Sequence, residues 1–262
     1  MTESERLPSF DPEAPLPGAP DPWQGSGMPA PRPGPPWAMT EMIGAEPAFA
    51  ERLLRRLAAP DGGAAQLAAA LLEAAAAGTA IRVIGCGTSE HGAQATALIL
   101  AAALAREGRA PRVEAVQAFE AALAPQRGGL VVGISHEGGT WATNGALEAA
   151  RAAGSRTALV TVGDRSPGAT LADLVVTTEE ADRSWCHTVG YLSPILAAIA
   201  VAGHVTGRRP DAAAVRAALV AGAAGAAAAE RVATQLADAS HVLIIASGAD
   251  RPAARELALK IE

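Results

Sequence analysis

The chain has 262 residues and half of them are apolar, so it is long enough to bury a large core and is not disordered as a whole. Its 21 basic and 27 acidic residues give a net charge of −6 without a long basic cluster, which argues against a nucleic-acid partner. The apolar stretches are broken by Gly, Pro or charge and no signal core is visible, so we predict a cytoplasmic protein without a membrane partner.

The first part of the chain is rich in proline. Proline recurs with Gly and Ser from Pro8 to Pro36, so residues 1–38 are predicted to be a disordered, polyproline-like leader. Apolar residues at helical spacing begin near Met39 and predict an amphipathic helix that Glu46-Pro47 interrupts. A second helix is predicted over residues 64–77, and residues 39–78 form an N-terminal helical segment.

From residue 79 onward, short apolar runs alternate with helical segments, a pattern typical of a parallel sheet covered on both faces. Five strands are predicted, at residues 81–85, 113–116, 130–134, 157–162 and 174–177. The helices between them are predicted near residues 90–107, 117–122 and 142–153, with a short turn at 169–172. Residues 79–207 are therefore predicted to form an α/β domain with a doubly wound five-stranded parallel sheet.

Two long Ala-rich helices are predicted after the sheet, at residues 188–206 and 211–237. A strand at residues 241–246, a glycine turn at 247–250 and a helix at 252–262 follow. This order repeats that of the first strand, loop and helix of the sheet domain. We therefore expect residues 208–262 to be a helix followed by the truncated beginning of a second domain.

Two of the predicted strands end in glycine-rich loops that carry hydroxyl groups and then open into helices. The loops read Gly85-Cys86-Gly87-Thr88-Ser89 and Ser135-His136-Glu137-Gly138-Gly139-Thr140. Glycine lets the backbone approach an oxyanion, the helix N-terminus favours negative charge, and hydroxyl groups add donors. Since both loops reach the same edge of a parallel sheet, the pair predicts one site for a phosphorylated small molecule. A single loop of this kind is common in doubly wound proteins and would indicate little.

These loops, together with residues 151–162 and 166–176, resemble the SIS (sugar isomerase) domain family. This family includes the isomerase half of glucosamine-6-phosphate synthases and related tandem-SIS sugar-phosphate isomerases and deaminases. The similarity covers about residues 40–206, and residues 247–262 resemble the opening of a second SIS domain. The resemblance implies a flavodoxin-like three-layer α/β/α fold, a homodimer, and a hexose or amino-sugar 6-phosphate as ligand. We predict no cofactor and no metal, since the two cysteines, Cys86 and Cys186, do not form a metal-ligand cluster.

The resemblance also implies a role for individual residues. The substrate-binding positions that it implies are Cys86, Gly87, Thr88, Ser89, Ser135, His136, Glu137 and Thr140. The four hydroxyl side chains among them would anchor the phosphate, while His136 and Glu137 would contact the sugar. Glu256 and Lys260 fall where relatives carry catalytic groups. The implied reaction is aldose-ketose isomerisation, or amination or deamination without a glutaminase domain, if the natural protein completes its second SIS domain.

The sequence departs from the family pattern in ways that keep a second interpretation open. Glu137 stands where relatives carry a phosphate-facing hydroxyl, and its charge would repel a phosphate unless a protonated His136 offset it. A lysine that relatives carry before the long helix is replaced by His187, which either lines the pocket or starts the helix. A non-catalytic phosphosugar-binding sensor or regulatory module is therefore the alternative. Cys86 is interpreted as a packing residue rather than a nucleophile.

Overall fold

The computed structural model describes residues 10–25 and 32–261. Its centre is one five-stranded sheet in which every neighbouring pair of strands is parallel. The strand order is β2-β1-β3-β4-β5, which is the flavodoxin-like order. The strands are β1 (Ile81–Gly85), β2 (Val113–Gln117), β3 (Leu130–Ile134), β4 (Arg156–Thr161) and β5 (Leu174–Thr177). The predicted fold class is thus confirmed.

Helices cover both faces of the sheet, because the central strands carry apolar side chains on both sides. One face carries the larger core, formed with helices α1 (Ala38–Leu57), α2 (Gly63–Ala76), α3 (Thr88–Arg106) and α7 (Thr188–Thr206). The other face packs against α4 (Ala118–Leu123), α5 (Trp141–Ala152) and α6 (Pro167–Leu171). All five residues of β3 are buried, which is the pattern expected for a central parallel strand.

Among the described residues, helix α7 is long and apolar enough to cross a membrane by length and composition alone. Helices α8 (Ala212–Ala223) and α9 (Ala226–Leu236) reach the length and apolar composition of a membrane span only if the pair is counted as one bent helix. In the protein, α7 packs against α1, α2 and α3, and 61% of its most apolar window is buried. It therefore occupies the position of a core helix.

The predicted interruption of the first helix is wrong, because α1 runs continuously through Pro47. Proline inside a helix removes one backbone hydrogen bond and clashes with the preceding turn. Pro47 is buried against the core, as are Phe49, Leu53 and Leu54 further along the same helix. Tertiary packing thus outweighs the local cost of the proline.

The region after α7 also differs from the prediction. The single helix expected over residues 211–237 is divided into α8 and α9, which meet at Gly225 with a bend of 43°. The strand expected at residues 241–246 does not form. A strand requires a hydrogen-bonded neighbour, and here Leu243 and Ile245 are 84% and 85% exposed. A short 3₁₀ turn then leads into α10 (Arg251–Ile261).

Part of the proline-rich leader is ordered against the domain, which differs from the disorder predicted for residues 1–38. The side chain of Leu16 is only 6% exposed and belongs to the main core. One buried apolar anchor and several hydrogen bonds offset the entropy lost on ordering, which the prolines already reduce. The rest of this prediction, at residues 1–9 and 26–31, lies outside the described residues.

Candidate functional site

A cavity of about 410 Å³ opens at the carboxyl edge of the sheet, where β1 and β3 end. It is lined by Trp23, Gly25, Cys86, Thr88, Ser89, His136, Glu137, Gly139, Thr140, His187 and Gly190. Six of the eight predicted binding residues are on this lining. The other two, Gly87 and Ser135, lie directly beside it in the same loops. The structure therefore brings both predicted loops to one cavity.

The loop after β1 turns sharply because Gly85 has no side chain. A Cβ atom there would lie 2.3 Å from the carbonyl oxygen of Ser89. Gly87 then takes a left-handed φ of 57° as the N-cap of α3. The two glycines together place the first residues of α3, Thr88 and Ser89, at the cavity wall.

The loop after β3 is held by hydrogen bonds that place α5 in the same way. The Gly138 carbonyl accepts hydrogen bonds from the Gly168 backbone N–H at 2.8 Å and from Asn144 Nδ2 at 3.2 Å. Ser135 Oγ is buried and donates to Thr140 Oγ1 at 3.2 Å. Thr140 is the N-cap of α5, so a second helix N-terminus with its hydroxyl groups meets the cavity.

His136 is neutral near neutral pH. Its Nε2 accepts a hydrogen bond from the Asp182 backbone N–H at 2.8 Å, so the neutral ring carries its proton on Nδ1. Burial, with a smaller contribution from neighbouring His187, lowers the pKa of His136 to about 4. The expectation that a protonated His136 offsets Glu137 is therefore not supported.

His187 has both of the roles that the sequence left open. It is the N-cap of α7, with a left-handed φ of 48°, and it also lines the cavity. Its ring lies edge-on to that of His136, with 5.6 Å between the ring centres. The Nδ1 atoms of both rings are buried without a hydrogen-bond partner among the described residues. Since buried polar groups are normally paired, a polar ligand is a natural partner for them.

Two carboxylates that the sequence analysis did not single out lie near the histidines. Asp182 accepts hydrogen bonds from Ser184 and from the Gly190 backbone N–H, and so fixes the start of α7. Glu46 of α1 is largely buried. Burial, assisted by the negative charge of Asp182, raises the pKa of Glu46 to about 7.

We predict that Glu46→Gln stabilises the protein at alkaline pH. The Glu46 side chain is charged in the unfolded chain above its usual pKa of 4.5, whereas in the folded protein it becomes charged only near pH 7. Its burial therefore opposes folding most strongly above pH 7, and this penalty fades as the pH falls towards 4.5. The variant should gain about 1–2 kcal/mol of unfolding free energy at pH 8 and little at pH 5, as measured by urea denaturation.

Glu148→Gln is the matched control for this experiment, because Glu148 is exposed on α5. It should leave the unfolding free energy nearly unchanged at both pH values. A gain for Glu46→Gln that is equal at pH 8 and pH 5 would contradict the prediction.

The two predicted catalytic residues lie behind Thr88 rather than on the lining of the cavity. Lys260 Nζ is 2.6 Å from Glu256 Oε1, and Thr88 Oγ1 donates to the same carboxylate oxygen at 3.0 Å. The second oxygen of Glu256 lies 2.8 Å from His91 Nδ1. Glu256 is only 5% exposed, so this network docks α10 onto the start of α3.

The remaining titratable groups at the site do not form a nucleophile or a metal centre. Burial, and to a smaller extent Glu90, raises the pKa of the Cys86 thiol, which favours the unreactive thiol form. Gln117 Nε2 lies 3.5 Å from the Cys86 sulfur. Within residues 10–25 and 32–261, no three His, Cys, Asp or Glu side chains are grouped to hold a metal ion.

Sequence reasoning missed Trp23, Gly25 and Gly190 on the cavity lining, and of these only Trp23 carries a side chain. It belongs to the proline-rich leader, about 60 positions before the first loop, and no local pattern connects it with the sheet. A single tryptophan among prolines and glycines carries no periodic signal. Its position follows only from the contacts of the whole leader segment.

Comparison with known proteins identifies similar solved structures. The C-terminal domain of glucosamine-fructose-6-phosphate aminotransferase from Francisella tularensis is 15% identical, with a TM-score of 0.65 over 88% of this chain and 68% of that one. Tagatose-6-phosphate ketose/aldose isomerase from Escherichia coli is 17% identical, with a TM-score of 0.58 over 87% and 66%. These likenesses show a shared fold.

A protein from Salmonella typhimurium that is named for sugar binding is 28% identical, with a TM-score of 0.51. The match covers 70% of this chain but only 54% of that protein, so the chain spans little more than half of its length. No protein-family model and no curated protein matches the chain.

Proposed function

Since the chain has the fold of the SIS (sugar isomerase) domain, we propose that its cavity binds a phosphosugar, specifically a hexose or amino-sugar 6-phosphate. The observation that carries this proposal is the meeting of two helix N-termini, those of α3 and α5, at one cavity. Each brings hydroxyl side chains with it, from Thr88, Ser89 and Thr140. Helix N-termini and hydroxyl donors together bind a phosphate without needing a lysine or arginine on the lining.

The sugar part of the ligand would face the histidines. Neutral His136 has a buried Nδ1 without a partner in the described structure, and so has His187. Sugar hydroxyls both donate and accept hydrogen bonds. Glu137 lines the same cavity and is suited to receive a hydroxyl or an amine. Placing the carboxylate at the sugar end, away from the helix N-termini, would also reduce its repulsion of the phosphate.

The reaction that this arrangement fits is aldose-ketose isomerisation, or amination or deamination through an enediol or imine intermediate. Such chemistry moves a proton between C1 and C2, and groups that gain and lose protons must lie next to these carbons. In the proposal, Glu137 and His187 lie closest to them and exchange the proton, while the Nδ1–H of neutral His136 donates a hydrogen bond to the sugar. The anchored phosphate positions the sugar. Glu256 and Lys260 would act through Thr88. The homodimer that the resemblance implies and the cytoplasmic location predicted from the sequence belong to the same proposal.

A non-catalytic phosphosugar sensor is the second candidate, and one observation favours it. Glu256 and Lys260 are paired with each other behind the loop after β1, here called the phosphate loop. An ion pair of this kind couples the phosphate loop to α10 and does not itself reach the reacting carbons. The two candidates differ in turnover, not in binding.

The proposal predicts that Ser135→Ala weakens binding of fructose 6-phosphate and glucosamine 6-phosphate. Ser135 Oγ donates to Thr140 Oγ1 and so orients the Thr140 hydroxyl at the cavity, and a hydrogen bond between neutral groups contributes about 0.5–1.5 kcal/mol. We therefore expect a rise in Kd of roughly 2- to 10-fold in calorimetric titration.

Ser155→Ala is the matched control, because Ser155 is equally buried but lies before β4, at the opposite edge of the sheet. It should lower stability without changing affinity. If the wild-type protein gives no heat with either sugar phosphate, the proposed function fails. Product analysis by NMR then separates the candidates, since conversion of the sugar indicates an enzyme and binding without conversion indicates a sensor.

A further inference from the structure

Residues 10–25 of the leader cross the carboxyl edge of the sheet and are fixed at their middle. The backbone N–H of Leu16 donates to Glu180 Oε2 at 2.8 Å, and the Pro17 carbonyl accepts from the Ala181 N–H at 2.8 Å. The Leu16 side chain is buried in the main core. This stretch is therefore attached to the segment after β5, which leads to the histidine and α7 side of the cavity.

A salt bridge reinforces this attachment. Arg52 of α1 makes two hydrogen bonds to the Glu180 carboxylate, at 2.9 and 2.8 Å. The same guanidinium donates to the Glu13 carbonyl oxygen at 2.8 Å. Glu180 is only 9% exposed, so its charge is largely desolvated and requires these partners. The leader thus completes the hydrogen bonding of a buried carboxylate.

The far end of the segment reaches the loop after β3 through Trp23. Its indole Nε1 donates to the Glu137 carbonyl oxygen at 3.1 Å. A Cβ atom on Gly139 would lie 2.8 Å from the Trp23 ring, so the absence of a side chain at this position leaves room for the indole. Trp23 is half-buried and forms part of the cavity lining.

We propose that Trp23 is a specificity-determining residue that packs its indole against the carbon face of a hexose ring. This inference rests on the proposed function and deepens it. The two helix N-termini recognise a phosphate and do not distinguish free phosphate from a sugar phosphate. A large rigid aromatic surface on the same cavity adds apolar contact that only the carbon skeleton of the ligand can use. The prolines of the leader lower the entropy cost of holding the indole there.

The experiment measures the affinities of wild-type protein and Trp23→Ala for fructose 6-phosphate, glucosamine 6-phosphate and inorganic phosphate by calorimetry. We expect Trp23→Ala to weaken both sugar phosphates by roughly tenfold and to change the affinity for inorganic phosphate less than twofold. Trp23→Phe keeps an aromatic ring and should retain most of the affinity. Trp37→Ala is the matched control, since Trp37 also belongs to the leader but starts α1 away from the cavity lining.

Tryptophan fluorescence gives an independent readout. A sugar phosphate packed on the indole should change the emission of the wild-type protein, and this change should be largely lost in Trp23→Phe but retained in Trp37→Phe. Equal sugar-phosphate affinities of wild-type protein and Trp23→Ala would overturn the inference while leaving the proposed function intact. Tighter binding by Trp23→Ala would also overturn it, and would show that the indole blocks the cavity. Failure of the wild-type protein to bind either sugar phosphate would overturn the proposed function as well.

Discussion

Gly138→Ala is expected to lower the free energy of unfolding by about 3 kcal/mol and to remove most of the affinity for a hexose phosphate. Gly138 has a left-handed φ of 71°, a conformation that costs a residue with a Cβ roughly 1–2 kcal/mol. The new Cβ would also lie 1.9 Å from Ser166 Oγ and 3.1 Å from Thr161 Oγ1. Ser166 accepts a hydrogen bond from the Ala169 N–H, so displacing its side chain disturbs the start of α6.

Affinity would fall for a related reason. The Gly138 carbonyl ties the loop to Gly168 and Asn144, and these hydrogen bonds set the position of Thr140 and the N-terminus of α5. A shift of the loop would move the phosphate donors away from those of α3. Thermal unfolding should show a decrease in Tm of roughly 10 °C, and titration with fructose 6-phosphate should show the loss of binding.

Gly145→Ala is the control for this variant. Gly145 lies in α5, its φ is not left-handed, and a Cβ there would meet nothing within 4 Å. Alanine is the better helix former, so this variant should be as stable as the wild-type protein or slightly more stable. Similar unfolding temperatures for the two variants would show that the loop tolerates a side chain at position 138.

The sheet could be predicted from the sequence because its strands are apolar on both faces. The predicted bounds of β1, β3 and β5 agree with the structure, those of β2 differ by one residue at one end, and those of β4 differ by one residue at each end. Prediction failed where tertiary contacts decide the outcome. Burial of Pro47 keeps α1 continuous, and residues 241–246 have the composition of a strand but lie beside no other strand within the described part of the chain.

The candidate site, like the fold, could be predicted from the sequence only in part. Both glycine loops follow strands, so their meeting at one edge of the sheet could be predicted from the parallel topology alone. Trp23, Glu46 and Asp182 reach the neighbourhood of the cavity through contacts between distant parts of the chain. The neutral state of His136 also depends on burial and on a backbone donor from a distant residue. No spacing rule in the sequence encodes such contacts.

Lys260→Met is expected to lower the free energy of unfolding by about 3 kcal/mol. Lys260 is the one lysine of the chain, and its ammonium group lies 2.6 Å from the carboxylate of Glu256. The Glu256 side chain is only 6% exposed, so removing the lysine would leave a buried negative charge without its main counter-charge. Thr88, which contacts both side chains, would lose part of its support.

The double variant Lys260→Met/Glu256→Gln distinguishes a buried ion pair from simple packing. Glutamine keeps the shape of Glu256 without its charge, so the double variant should recover much of the stability lost by Lys260→Met, as measured by urea denaturation. Arg255→Met, on the same helix, is the control, because Arg255 is 51% exposed and lies 3.9 Å from Glu90. An exposed pair of this kind contributes less than about 1 kcal/mol. Equal losses for Lys260→Met and the double variant would contradict this prediction, because the loss of stability would then not come from the uncompensated charge of Glu256.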